Sequence, residues 1–149
     1  MPGRTARTIR GGTALAEATL IIPIFFMLIF GIFEYGRFFM MRNLIADAAR
    51  EGTRFAVVHT ADKTTADVQN TVLAVVASQQ SQLRNLTIQV YATDANGNPL
   101  AGVPWTNAAF GSGIGVQVDG DYTPVTPVFL LMPNLVHLTT VSIMNSEAN

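Results

Sequence analysis

Residues 13–57 read TALAEATLIIPIFFMLIFGIFEYGRFFMMRNLIADAAREGTRFAV, and the nature of this stretch decides the fold. From Ala18 to Phe33 it carries no charge, with Glu17 and Glu34 at its two ends. Those sixteen residues would rise ~24 Å as a helix, short of a ~30 Å hydrocarbon core. Extension back through Glu17 to Thr13 brings the length to ~31 Å, which suffices. The segment IIPIFFMLIFGIF is apolar on every face and has no amphipathic stripe to set against a soluble core. Pro23 is tolerated better in a membrane helix than in water. The stretch is therefore read as transmembrane.

A cleaved secretory signal is the rival explanation, since a basic start precedes the apolar run. That run is long for a signal, however, and no small-residue cleavage site follows it directly. The nearest candidate, Ala46-Asp47-Ala48, lies beyond Glu34, Arg37 and Arg42. Past Phe33 the sequence stays rich in helix formers. Glu34 and Arg37 are spaced to share a helical face, as are Asp47 and Glu51, and Arg50 and Arg54 form a basic row. A helix from about Thr13 to Val57 would run ~65 Å, more than a bilayer requires. Its outer turns must stand in water and support something.

The whole chain agrees with such a division. Among 149 residues, 49% are hydrophobic and only 13% charged, which implies that much of the surface avoids water. Seven of the nine basic residues lie in residues 1–54 against four acids, whereas residues 55–149 hold Lys63 and Arg84 against six acids. Arg4, Arg7 and Arg10 stand in a leader without an acid, the pattern that keeps a segment cytoplasmic and sends the body outside. So short a basic tract is not read as a nucleic-acid site. The absence of cysteine removes disulfides, thiolate metal sites and thiol nucleophiles.

Glu17 remains to be explained, because an ionised carboxylate within a bilayer costs ~2.5–3.5 kcal/mol and calls for a partner. A cut between Gly12 and Thr13 would create an α-amino group on Thr13, largely protonated at neutral pH. Thr13 and Glu17 are four apart, so they could meet within one helix, or the amine of one subunit could meet Glu17 of its neighbour. Alternatively, Glu17 sits at headgroup depth and pairs with Arg10 or a lipid amine. The charges alone leave both explanations open.

A basic leader, a glycine, four residues and then a glutamate opening an apolar helix resembles the type IV prepilin processing signal. The stretch Gly11–Phe55 resembles more closely the TadE-like family, small pseudopilins of the tight-adherence (Tad) pilus system. The similarity lies in small residues before Glu17, an apolar run with Pro23, the Gly31-x-x-Glu34-Tyr35-Gly36-Arg37 cluster, and an Ala-rich tract ending Ala-Arg-Glu-Gly. Ala16 stands where a valine often precedes the glutamate. The resemblance implies a minor pseudopilin of a Tad or type IVb pilus machine, cleaved after Gly12 by an aspartic prepilin peptidase. Implied partners are that peptidase, other pilins or pseudopilins, inner-membrane platform proteins and the lipid bilayer. Assembly would act through Glu17, Glu34 and Arg37, the last two serving either as an interfacial anchor or as an inter-subunit contact. The implied location is the bacterial inner membrane, with the C-terminal part extracytoplasmic.

In that C-terminal part, Thr64 or Thr65 is a candidate cap for a helix over about Ala66–Leu83. Val68, Val72, Val75, Val76 and Gln79 would form its inner stripe. Alternation predicts strands at Leu86–Thr93, Gly115–Tyr122 and Leu138–Met144, with a hairpin at Asp94–Pro99 returning through Leu100–Trp105. The apolar connection PVTPVFLLMPNLVHL is expected to cap the sheet or pack on the stem, with lipid contact at the Phe129–Met132 tip as the alternative. The expected fold is α+β: a long N-terminal transmembrane helix with a small extracytoplasmic domain of one further helix and an antiparallel sheet. The expected division is residues 1–12 as leader, 13–57 as helix and 58–149 as outer domain.

Little in this domain suggests chemistry. His59 and His137 have no metal-ligand spacing, and Asp119 and Asp121 around Gly120 read as a solvated turn rather than a calcium loop. No phosphate loop, nucleophile elbow or zinc motif occurs, so neither enzyme activity, cofactor nor metal is expected. Asn85-Leu86-Thr87 matches a glycosylation sequon, which carries no information in a bacterial chain. Two other functions stay open: a membrane-anchored binding or sensory module that keeps its leader, and a secreted enzyme, which the lack of a catalytic constellation disfavours.

Overall fold

A computed structural model describes residues 11–125 and 133–146. Helix α1 (Gly11–Val58) runs unbroken through Pro23. It is followed by α2 (Thr65–Val76), a 3-10 turn at Ala77–Gln82, β1 (Leu83–Thr93), a short 3-10 turn at Trp105–Asn107, β2 (Gly113–Tyr122) and β3 (Val136–Asn145). The strands form one antiparallel sheet in the order β1-β2-β3, with Val90, Val116 and Ser142 in register across it. The fold is therefore α+β, as expected.

Two solvents are written into α1. From Leu15 to Phe33 most of its large side chains are exposed, Leu20 at 70% and Ile32 at 73%, and no other described element covers them. Beyond Phe33 a stripe with helical spacing turns inward through Met41, Ile45, Ala48, Ala49, Thr53 and Ala56, all fully buried. Small residues on that stripe allow close packing. A Cβ on Gly52 would lie 2.5 Å from Val72 Cγ2 and 3.4 Å from Val116 Cγ1, so the helices meet here only because the side chain is missing.

The head packs α1 and α2 on one face of the sheet. Val68, Val72 and Val76 of α2 meet Ile114, Val116, Val118 and Tyr122 of β2, all with no exposed surface. Burial of each such aliphatic side chain contributes ~1.5–3 kcal/mol, so this layer is the core of the head. Thr64 is the N-cap of α2: the Asp67 carboxylate accepts from its amide at 2.9 Å and from its hydroxyl at 2.8 Å. These bonds hold the Asp67 carboxyl below the usual carboxylate range.

Three expectations need correction. Helix α2 ends at Val76 rather than Leu83, because the polar run ASQQSQ offers no further inner stripe and tightens into a 3-10 turn. Leu83 is then buried as the first residue of β1. The segment Leu100–Trp105 is not a strand. The Asp94 turn forms, with its carboxylate accepting from the amides of Asn96 and Asn98 at 2.8 Å and Gly97 at φ 86°. The return stops at a single bridge, Thr93 to Pro99, because Pro99 and Pro104 offer no N–H to a ladder. Trp105 instead seats its indole inward and donates to Thr65 Oγ1 at 2.9 Å, which ties the loop to the start of α2. Finally, Asp119–Asp121 lies within β2, not in a turn, since the ladder to β3 continues through Gly120. Residues 126–132 of the connection, with the Phe129–Met132 tip, lie outside the described residues, as does the leader through Arg10.

Candidate functional site

The residues expected to matter lie along α1. Gly12 and Thr13 occupy its first turn, where the backbone is already helical. Glu17 lies one turn further on, exposed, on the apolar part of the helix. With a mean hydropathy of 2.3 over its most apolar 18-residue window, of which 6% is buried, α1 is long and apolar enough to cross a membrane. Glu17 thus belongs to the part of the chain that the head does not reach.

Glu34 has a different environment. It is 3% exposed, at the position where α1 first touches the head. The Tyr122 hydroxyl donates to Glu34 Oε1, and the Val125 amide donates to Oε2 at 3.2 Å. Phe38, one turn along α1, meets the Tyr122 ring edge-on with centroids 5.9 Å apart. Burial pushes the Tyr122 phenol up to about 12, and the Glu34 carboxylate adds to the shift by accepting its hydrogen. The carboxylate therefore fastens the end of β2 to the stem.

Arg37 reaches a different part of the head. Its guanidinium donates to Gln82 Oε1 at 2.6 Å, and the Gln82 amide donates in turn to Gln79. One helical turn thus holds two anchors to the head, Glu34 to β2 and Arg37 to the turn before β1. Further along, Asp47–Arg50 at 2.9 Å and Glu51–Arg54 at 2.8 Å are exposed pairs on the outer side of α1. Such pairs contribute at most about 1 kcal/mol each.

Tyr122, Gln82 and the Val125 amide were not singled out from the sequence. One signal was available: Tyr122 falls on the inner face of a strand, and a buried phenol requires a hydrogen-bond partner. His137 also has more company than its isolation in sequence implied. Its Nδ1 lies 2.7 Å from Asp121 Oδ1, and Asn85 Nδ2 donates to Asp121 Oδ2 at 2.8 Å. These two neighbours hold the Asp121 carboxyl below the usual range. Asn85 reaches it from a left-handed backbone, φ 51°, at the irregularity between Arg84 and Thr87. No group of three metal-ligating side chains occurs among the described residues.

A lone N-terminal apolar helix that continues into the core of a small α+β head defines a chain of pilin-like build with one candidate membrane anchor. Residues 12–54 match the family model described as TadE-like protein. Over that stretch, less than a third of the chain, the sequence is thus similar to the TadE-like family. The match covers the apolar run, both Glu17 and Glu34, and the buried stripe as far as Arg54. No curated protein and no solved structure matches the chain.

Proposed function

We propose that the protein is a minor pseudopilin-like subunit of a Tad or type IVb pilus machine. A prepilin peptidase cuts it after Gly12, and it then contributes to pilus biogenesis and adherence by packing its helix against those of other subunits. The chain sits in the inner membrane with its leader cytoplasmic and its head outside, and it has no catalytic role. The supporting observation is that the TadE-like match falls on a helix of two halves, one apolar and uncovered, the other built into the head. A half that no other described element covers is suited to lipid and to neighbouring helices.

Cleavage after Gly12 gives Glu17 a cation. The new amine on Thr13 lies within reach of its own Glu17 or that of an adjacent subunit, which converts a burial cost into a register device. The assembly role of Glu34 and Arg37 is indirect: they set the head on the stem, and the head meets its neighbours in the orientation so fixed. The intact mass of protein purified from its native membrane tests the proposal. Loss of Met1–Gly12 is expected, whereas retained leader arginines would favour an anchored binding module. Glu17→Ala should leave cleavage intact and impair assembly, and normal pili in that variant would remove the pairing role.

A further inference from the structure

The two edges of the sheet are finished differently. On β1, the Ile88 carbonyl accepts from the Gln69 side chain at 3.0 Å, and the Ala92 carbonyl accepts from the Leu100 amide at 2.8 Å. On β3, Thr53 Oγ1 donates to the Ser142 carbonyl at 3.1 Å, but among the described residues no such bond reaches its outward edge. The Ser146 amide donates to the Ser112 carbonyl at 2.7 Å, one step beyond the Gly113–Asn145 pair. Bonded and non-bonded pairs alternate along an antiparallel ladder, and the register here continues without a shift. Ile114–Met144, Val116–Ser142, Val118–Thr140, Gly120–Leu138 and Tyr122–Val136 are therefore the bonded pairs. The main-chain groups of His137, Thr139, Val141, Ile143 and Asn145 face away from β2, and none of them finds a main-chain partner among the described residues.

Edges left in this state are normally blunted by a lysine, a proline, a charge or a bulge. The strand VHLTTVSIMN has no Lys, Arg, Asp, Glu or Pro. Val141 and Ile143 stand 43% and 42% exposed on the face of the sheet opposite the helices. We propose that the β3 edge accepts an extended, uncharged strand from a different polypeptide, laid antiparallel to β3 and hydrogen-bonded to Thr139, Val141 and Ile143.

Charge and direction select this occupant. Between Thr139 and Ile143, past the His137–Asp121 pair, the edge is uncharged and rich in β-branched residues; it matches a strand of the same character, since a charge laid against it would lose water without gaining a partner. The β3 strand of a second copy does not fit. Two copies of β3 pair antiparallel about a two-fold axis normal to the sheet. Helix α1 lies along that sheet, from Tyr122, which meets Glu34 and Phe38, to Val116, which faces Gly52. The axis would turn one stem end for end, and copies inserted the same way into one bilayer cannot be so related. This exclusion rests on the membrane reading of α1, whereas the unpaired edge does not.

Amide exchange of the full chain in detergent, compared with exchange in the assembly extracted from its native membrane, tests the proposal. Thr139, Val141 and Ile143 should exchange quickly in the isolated chain and at least about tenfold more slowly in the assembly, with Thr140 and Ser142 protected in both. A photoreactive residue in place of Val141 should cross-link to a peptide of another chain. Val141→Pro removes an outward amide without touching a β2–β3 bond and should abolish the added protection. Val141→Lys keeps every backbone group and should weaken that protection through its charge. Equal exchange of the three amides in both preparations overturns the proposal, as does a cross-link to this chain's own β3. An intact leader together with protection at these amides would sink the processing reading and leave the strand acceptor standing.

Discussion

The two halves of α1 have the same backbone and opposite surroundings. Leu20 and Ile32 are exposed at 70% and 73%, whereas Met41 and Ile45 are fully buried, although all four are large and apolar. Hydrophobicity alone therefore does not distinguish an outward-facing segment from a core-facing one. Arrangement does. The first half is apolar on every side, and the second confines its apolar and small residues to one stripe, with Arg42, Asp47, Arg50 and Arg54 exposed outside it. The two glutamates repeat the contrast: Glu17 is exposed within the first half, and Glu34 is buried at the threshold of the second against Tyr122.

The contrast can be broken most forcefully at its two isoleucines. Ile45→Ala should destabilise the head by about 2–5 kcal/mol, measured by chemical unfolding in detergent, whereas Ile22→Ala should leave that transition where it is. Equal losses would erase the distinction between the halves. Glu34→Gln should cost about 1–3 kcal/mol by weakening the bond to Tyr122. It should also bring the phenol closer to its ordinary value in an ultraviolet titration. The sign follows from the raised value: stability linked to Tyr122 is whole below the ordinary tyrosine pKa of ~10 and is lost as pH climbs through about 12.

Two glycines sharpen the comparison at smaller scale. Gly52→Ala forces Val72 or the helix to shift and should cost about 1–3 kcal/mol. Gly36→Ala meets nothing within 4 Å and should gain up to about 1 kcal/mol from helix propensity. The smallest effect belongs to His137→Ala. Asp121 contributes stability above the ordinary aspartate pKa, and this is lost as pH falls through its lowered value. Without His137 that loss comes at higher pH, so the acid midpoint should rise slightly while neutral stability stays close to wild type.

Most of the local structure was legible because it obeys a period. The all-round apolar run, the Val68-Val72-Val76 stripe and the alternation of Val116, Val118 and Tyr122 each specify an element and its inner face. What was not legible depended on residues far apart in the chain. Glu34 and Tyr122 are separated by 88 positions, and no local pattern announces that a threshold glutamate will find a strand-end tyrosine. The end of α2 and the loss of the Leu100–Trp105 strand were hidden for another reason. The polar run ASQQSQ and the prolines at 99 and 104 weaken each segment locally, but where each element stops is decided by the seats that Leu83 and Trp105 find in the core.

Because α1 enters the head as an unbroken helix, the direction in which the sheet faces is geared to the apolar half of that helix. One residue inserted between Phe33 and Glu34 would swing the β3 edge by about 100° around the stem and lift it by only about 1.5 Å. Reach would hardly change, and bearing would change almost completely. A subunit whose neighbours are arranged around a common axis would thus be disabled by a single extra alanine that leaves both halves folded.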